Sequence, residues 1–199
     1  MIVQVAGFLT LLLFYGCYIT KVLKQRRQGI QTDQMGKGKT GSARIIELTM
    51  KGAAYLAFVT VAVSIARNTS AFSMPVRVAG VAAAAAGTAL FTVSVATMRD
   101  SWRAGVSMSE QTELVTGGIY QFSRNPAFLG FDLLYLGLAA AFFNWVLLAA
   151  AVFAVIMFHL QIVYVEEVFL TERFGAQYTA YQRRVCRYLG RKPDRRKGG

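Results

Sequence analysis

The chain has 199 residues, 55 % of them hydrophobic, and a net charge of +12 at pH 7. Its mean hydropathy of +0.41 is too high for a soluble domain, and its length allows about four to six membrane-spanning helices of roughly 20 residues each. The basic residues flank apolar segments without a nucleic-acid recognition motif, a pattern that excludes nucleic acid and indicates an integral protein of the lipid bilayer.

Three apolar segments predict the first three transmembrane helices, over residues 2–20, 48–66 and 78–97. The connection after the first, residues 21–47, carries seven lysines and arginines up to position 44 against one acid, Asp33. Such a basic loop is cytoplasmic under the positive-inside rule, which places the N-terminus outside. Small residues between Ala82 and Gly87 predict close packing of the third helix against a neighbour.

A glycine-rich segment inside that loop, GKGKTGS at residues 36–42, has part of the pattern of a phosphate-binding loop. The full pattern requires a glycine at position 33, where Asp33 stands, and no strand precedes the segment. We therefore interpret residues 36–42 as a flexible basic linker near anionic lipid headgroups.

Two further apolar segments, residues 127–143 and 145–165, are separated only by Asn144 and predict a tight helical hairpin with its tip outside. Nine of the 22 basic residues lie between Arg173 and Lys197, as the positive-inside rule requires of a cytoplasmic C-terminal segment. The predicted fold is an all-α integral membrane protein with five transmembrane helices, N-terminus out and C-terminus in, plus a cytoplasmic amphipathic C-terminal helix.

The C-terminal helix is predicted from apolar residues that recur at spacings of three and four. These residues are Leu170, Phe174, Tyr178, Tyr181, Val185 and Tyr188. The pattern fits either an anchor on the membrane surface or a lid over a site, and its tyrosines favour the lid. The chain divides into a three-helix part, residues 1–97, a functional region, residues 98–189, and a basic tail, residues 190–199.

Polar side chains at membrane depth are costly and indicate function. In the last predicted crossing, His159 and Glu166 share one face of an α-helix, whereas Gln161 points about 140° away from Glu166. Glu167 lies about 100° from Glu166, so the two acids can have different roles. A bond to a neighbouring helix and a role in a site both remain open for His159, Gln161 and Asp132. A single histidine predicts no metal site.

A polar loop over residues 113–130 combines two motifs, LVTGGIY and SRNPAFLG. The apolar hairpin, the adjacent acids Glu166 and Glu167, and the segment FGAQYTAY before a Val-Cys-Arg turn follow in order. This arrangement, from Arg99 to Leu189, resembles the isoprenylcysteine carboxyl methyltransferase family and its phospholipid methyltransferase relatives. The resemblance implies a membrane-embedded enzyme that transfers a methyl group from S-adenosylmethionine to a lipidic or prenylated acceptor, with its active site facing the cytoplasm.

The resemblance also implies which residues form the site. The cofactor-binding residues carried over from the family motif are Thr112, Glu113, Leu114, Val115, Tyr120, Arg124, Asn125, Pro126, Ala127, Phe128 and Glu166. We expect Arg124 and Glu167 to act in catalysis, and Gln161 and Asp132 to contact the substrate. The charges suit the cofactor, because an arginine opposite two acids complements its carboxylate, ammonium and sulfonium groups.

The chain departs from the family pattern at two positions of the loop. Asn125 stands where the family usually has histidine, and Phe128 where it has tyrosine. An amide can donate and accept hydrogen bonds but cannot titrate near neutral pH. No lysine or arginine occurs between Arg124 and Arg173, whereas the eukaryotic carboxyl methyltransferases place an arginine in the last crossing. We therefore expect a neutral or amine acceptor, with a carboxylate side chain as base, in preference to a carboxylate acceptor.

Two other functions remain open at this point. The membrane sterol-type reductases, which use NADPH, resemble the same C-terminal architecture, and a basic cytoplasmic face suits the phosphates of that cofactor. A non-catalytic binding protein with the same fold is also consistent with Asn125 and Phe128, which replace the histidine and the tyrosine of the family pattern. Cofactor binding discriminates among the three functions.

Overall fold

The structure, a computed structural model, describes residues 1–106 and 113–193 of the chain. Its main helices are α1 Ile2–Arg27, α2 Gly41–Arg67, α3 Met74–Met98, α4 Pro126–Ala141, α5 Trp145–Gln161 and α6 Glu167–Arg184. A π-helical turn, Ile162–Glu166, joins α5 directly to α6, and short 3-10 turns occupy Arg99–Ser101 and Gly118–Gln121. Thr112, predicted to bind the cofactor, lies outside the described residues.

Among the described residues, four helical segments are long and apolar enough to cross a membrane. They are Ile2–Arg27, Gly41–Arg67, Met74–Ser101 and Trp145–Arg184. Helix α4 is also apolar, but its 16 residues span only about 24 Å, less than the hydrocarbon core. The described chain is therefore an all-α, multi-pass integral membrane protein. A fifth crossing through α4 and the orientation in the membrane stay predictions.

The first two helices extend beyond the apolar segments that predicted them. Helix α1 continues through the basic residues to Arg27, and α2 begins at Gly41 rather than at position 48. Lysine and arginine are good helix formers, so a transmembrane helix can continue beyond its apolar segment into basic residues. Gly29 follows α1 with a φ of +74°, and Gly41 opens α2 with a φ of +63°, conformations that glycine adopts without a steric cost.

Helix α3 packs against α4 through small residues, which allow the two backbones to approach closely. A Cβ atom at Gly87 would lie 2.6 Å from the Gly130 carbonyl oxygen, and one at Gly80 would lie 2.5 Å from the Gly137 carbonyl oxygen. Ala84, between the two in sequence, is fully buried. The small residues of the third helix thus have the packing role predicted for them, and they fix α4 directly after the functional loop.

Aromatic side chains fill the centre of the bundle. Phe14 of α1 stacks on Phe91 of α3, with ring centroids 4.4 Å apart. The hydroxyl groups of Tyr15 and Tyr135 are hydrogen-bonded at 2.5 Å, and the Tyr135 hydroxyl donates to the Ala54 carbonyl at 3.0 Å. These bonds satisfy polar groups at membrane depth and tie α1 to α4 and α2.

The connection between α1 and α2 is folded rather than flexible. Its backbone is hydrogen-bonded to Ala104 in both directions, with N···O distances of 2.9 and 3.0 Å. The Gly36 N–H and the Lys39 ammonium both bind the buried carboxylate of Glu47. The interpretation of residues 36–42 as a flexible linker is therefore wrong, because a buried acid in α2 holds this segment against the bundle.

Candidate active site

A cavity of about 530 Å³ lies where the helical bundle meets the loop before α4 and the start of α6. Its lining includes aromatic side chains, which we call together the aromatic wall: Tyr15, Tyr55, Phe58, Phe91, Phe131 and Phe158. It also includes charged side chains, which we call together the charged wall: Asp33, Lys51, Arg103, Glu113, Arg124 and Glu166. A cavity of this size and composition can hold small molecules that have both charged and apolar groups.

Arg124 is buried in the charged wall, with a side chain only 6 % exposed. Its Nη2 lies 3.0 Å from Glu167 Oε1, and its Nη1 donates to the Tyr178 hydroxyl at 3.1 Å. Its buried Nε–H has no hydrogen-bond partner among the residues that the structure describes. A buried guanidinium with a spare donor suits an anionic ligand, because carboxylates accept hydrogen bonds from adjacent guanidinium N–H groups.

The turn that follows α6 fastens the loop that carries Arg124. The backbone N–H of Arg124 donates to the Cys186 carbonyl at 3.1 Å, and the side-chain amide of Asn125 donates to the Arg187 carbonyl at 3.0 Å. Pro126 then occupies the first turn of α4. A backbone N–H at this position would have no partner within the helix, so a proline costs no helical hydrogen bond there. The amide at position 125 therefore holds the C-terminal turn in place.

Glu167 is engaged by two arginines. Arg187 forms a bidentate pair with it, with both N···O distances at 2.8 Å, and this bond raises the pKa of the Arg187 guanidinium above its ordinary value. Arg124 binds the same carboxylate at 3.0 Å. Glu167 does not line the cavity. In the structure it orients Arg124, and its predicted part in catalysis stays a prediction.

Glu166 lines the cavity because a π-helical turn changes the register at the end of α5. Residues five apart in such a turn lie above one another, so Gln161 and Glu166 share a face and their side chains interact. His159 is exposed instead, and its Nδ1 is bonded to the Tyr188 hydroxyl at 2.5 Å. The predicted common face of His159 and Glu166 is wrong, because the α-helical period does not hold across this turn.

Glu47, near the start of α2, is fully buried and reaches across the bundle to Gln161. The Gln161 Nε2 donates to Glu47 Oε1 at 3.3 Å, and the Lys39 Nζ lies 2.5 Å from the same oxygen. Sequence reasoning missed Glu47, although an acid at the start of an apolar segment was a usable signal. Glu47 thus links Gln161 to Lys39, a cation from outside the last crossing, and its carboxylate neutralises the charge of that lysine.

Helix α6 packs its aromatic face on the loop before α4. Tyr178 and Tyr181 are buried together with Tyr120 and Val185, and the Tyr181 hydroxyl donates to the Tyr120 carbonyl at 2.5 Å. Burial raises the pKa of the Tyr120 phenol well above its ordinary value, so the hydroxyl stays protonated. Gly175, with a φ of +48°, kinks α6. The apolar face of α6 thus covers the loop; both its lid role and its membrane-anchor role stay predictions.

Most of the residues predicted to bind the cofactor line this one cavity. They are Glu113, Leu114, Val115, Tyr120, Arg124, Asn125, Ala127, Phe128 and Glu166. Pro126 is buried at the start of α4. The two predicted substrate contacts do not line the cavity: Gln161 is fully buried, and the buried Oδ1 of Asp132 has no hydrogen-bond partner in the part of the chain that the structure describes. Within the described residues, no group of three side chains could hold a metal ion.

The fold and the cavity together define a class, the multi-pass helical membrane proteins with an internal site at one end of the bundle. A sequence profile described as phospholipid methyltransferase matches residues 75–177, just over half of the chain. The chain belongs to this family, which confirms the resemblance seen in its motifs. It is accordingly a membrane methyltransferase of the phospholipid or isoprenylcysteine type.

The family match has a definite extent within the fold. It runs from α3 into α6, so it includes Arg124 and Glu166 and leaves α1, α2 and the loop between them outside. No curated protein and no solved structure matches the chain. The parts of the cavity wall that come from α1 and α2 therefore rest on the structure of this chain alone.

Proposed function

We propose that the chain transfers a methyl group from S-adenosylmethionine to a hydrophobic or lipid-linked acceptor at the cytoplasmic side of the membrane. One observation carries the proposal: a single cavity has a charged wall and an aromatic wall. The charged wall includes Arg124 and Glu166 from the family-matched region, and the aromatic wall comes from helices long and apolar enough to cross the bilayer, together with Phe131 of the shorter apolar helix α4. Cofactor and lipidic acceptor can thus meet inside the protein.

The side chains of the charged wall fit S-adenosylmethionine. The buried Nε–H of Arg124 offers a donor to a carboxylate, and Glu166 offers an acceptor to an ammonium group. Leu114, Val115 and Phe128 line the same region and offer apolar contacts to the remainder of the molecule. When bound, the cofactor supplies the activated methyl group.

The protein contributes positioning and the exclusion of water. Methyl transfer is an in-line displacement, so alignment of the two reactants and a water-poor site supply much of the rate. The bond from the Tyr181 hydroxyl to the Tyr120 carbonyl holds α6 on the loop, and Tyr120, Tyr178 and Tyr181 all line the cavity. These contacts keep the loop in place while the aromatic wall shields the acceptor.

The charged wall favours a neutral or amine acceptor over a carboxylate. Among the described cations that line the cavity, Arg124 binds Glu167, Lys51 lies 2.5 Å from Asp33 in a half-exposed pair, and Arg103 donates to the Trp102 carbonyl. Because the proposal gives the spare Nε–H of buried Arg124 to the cofactor carboxylate, a carboxylate acceptor beside Arg124 would have to compete with the cofactor or break the pair with Glu167, which costs several kcal/mol. An acceptor without negative charge avoids this cost.

The proposed function is tested by calorimetric titration of the purified protein in detergent. The ligands are S-adenosylmethionine, its demethylated product S-adenosylhomocysteine, and NADPH. We expect both sulfur compounds to bind saturably, because their carboxylate and ammonium groups complement Arg124 and Glu166, and NADPH to give no heat above dilution. Tight NADPH binding without detectable binding of the sulfur compounds would favour the reductase function. If none of the three ligands binds, the proposal fails and the non-catalytic binding protein is the function that stays open.

The acceptor class is tested with labelled S-adenosylmethionine. We expect methylation of a component of total membrane lipid from the host to exceed that of a farnesylated cysteine analogue, because the analogue presents a carboxylate to a wall of paired cations. Thin-layer separation of the labelled products measures both. Efficient, saturable methylation of the farnesylated analogue alone would return the chain to the carboxyl methyltransferases proper.

The proposed orientation places the α1–α2 loop in the cytoplasm and the α2–α3 turn outside. In a background without Cys17 and Cys186, Ala71→Cys in the turn should react with an impermeant thiol reagent applied outside, whereas Ser42→Cys should react only after permeabilisation. Both positions are exposed, and the structure gives neither native side chain a hydrogen bond. Labelling of position 42 in intact cells would reverse the orientation.

A further inference from the structure

A buried charge pair lies behind the cavity, in the part of the chain that precedes the family match. Lys39 and Glu47 have side chains that are 8 % and 0 % exposed, and the ammonium lies 2.5 Å from Glu47 Oε1. The Gly36 N–H donates to the other carboxylate oxygen at 2.6 Å. Burying an ion pair costs desolvation free energy, so a buried pair close to a binding cavity is a candidate for a functional role.

Gln161 connects this pair to the cavity. Its Nε2 donates to Glu47 Oε1 at 3.3 Å, and its side chain also interacts with the cavity-lining carboxylate of Glu166. Within the described part of the chain, its buried Oε1 has no hydrogen-bond partner. An amide whose N–H group is bonded to a buried carboxylate turns its oxygen away from that acid, so Glu47 fixes the orientation of Gln161.

The charges of the cluster explain why both Lys39 and Glu47 are needed. Glu47 and Glu166 repel one another, and Lys39 attracts both. While Glu47 holds Lys39, the pair is neutral, and among the described residues no lysine or arginine forms a salt bridge with Glu166. Without Glu47, the ammonium of Lys39 would be left buried close to Glu166 without a partner. It would then pair with Glu166 in place of the cationic part of the ligand.

We propose that Lys39 and Glu47 are positioning residues that keep Glu166 free to bind the cationic part of the cofactor. The inference rests on the proposed function and extends the site beyond the family-matched region, to α2 and the folded loop before it. Glu47 acts by holding Lys39 away from Glu166 and by fixing Gln161, without touching the ligand itself.

The test compares wild type with two variants by calorimetric titration of S-adenosylhomocysteine. Glu47→Gln leaves Lys39 without its carboxylate, so we expect the Kd to rise by about tenfold or more. The double variant Lys39→Met with Glu47→Gln removes the pair as a unit, so we expect the Kd to return to within about threefold of wild type. A purely structural role predicts the same rescue together with a fall and recovery of the melting temperature, whereas the inference predicts a Glu47→Gln protein that is folded and melts near the wild-type temperature, because Lys39 pairs with Glu166 instead.

Thermal unfolding of each variant, followed in the same detergent, separates charge from folding. Wild-type affinity in Glu47→Gln would overturn the inference, as would a double variant that binds as weakly as the single one. If Glu47→Gln does not fold, the pair acts through stability and the inference is overturned, whatever the double variant shows. Asp100→Asn, which breaks the Lys21–Asp100 pair outside the cavity, is the matched control and should bind as wild type.

If the wild type binds neither S-adenosylmethionine nor S-adenosylhomocysteine, the proposed function is refuted, and the inference with it. A wild type that binds S-adenosylhomocysteine keeps the proposed function whatever the variants show. The two results are therefore distinguishable in one set of titrations.

Discussion

Arg124→Met is expected to weaken binding of S-adenosylhomocysteine by about 2 kcal/mol or more, which is roughly a 30-fold rise in Kd. The side chain is 6 % exposed and its Nε–H has no partner in the described ranges 1–106 and 113–193, so the variant leaves the ligand carboxylate in a desolvated site without its donor. Glu166→Gln is expected to have a comparable effect through the ammonium group. Calorimetric titration measures both.

Control variants separate a loss of binding from a loss of fold. Arg173→Met removes an exposed arginine of α6 and should leave the Kd unchanged. Arg124→Met also releases Glu167, but Arg187 retains its bidentate pair with that acid, so the apparent melting temperature should fall little. Near-wild-type affinity in both Arg124→Met and Glu166→Gln would remove these residues from the site.

Gly87→Val is expected to destabilise the protein by about 3 kcal/mol, the upper end of the usual cost of overpacking. The new Cβ alone would lie 2.6 Å from the Gly130 carbonyl oxygen and 2.9 Å from the Leu134 nitrogen, and backbone atoms of α4 cannot move aside as a side chain can. Because α4 begins directly after the cofactor loop, binding should be lost along with stability. Thermal unfolding and the yield of monodisperse protein measure the effect.

Gly52→Val in α2 is the matched control for that substitution. A Cβ at Gly52 would meet no atom within 4 Å, and valine is a better helix former than glycine, so stability should be unchanged or slightly higher. A Gly87→Val protein as stable as the Gly52→Val protein would show that α3 and α4 are not in close contact.

Local sequence features determined much of this protein. Apolar segments of bilayer length predicted helices α1, α2, α3 and α5, because burial in lipid requires a continuous run of apolar residues that satisfies its own backbone. Small residues at helical spacing predicted close packing of α3 against a neighbour, and the structure identifies that neighbour as α4. The contiguous loop motif around Arg124 predicted a set of residues that the structure brings to one cavity, since neighbours in a short loop remain neighbours in space.

Only the tertiary structure decided the parts that depend on residues far apart in the chain. The π-helical turn places Glu166 beside Gln161 and away from His159, and a periodicity argument assumes that no such turn occurs. Lys39 reaches Gln161 through Glu47, which is 114 residues earlier in sequence, so no local pattern contains the contact. Hydropathy and motifs report what each segment requires by itself; which buried charges neutralise one another depends on how the helices pack.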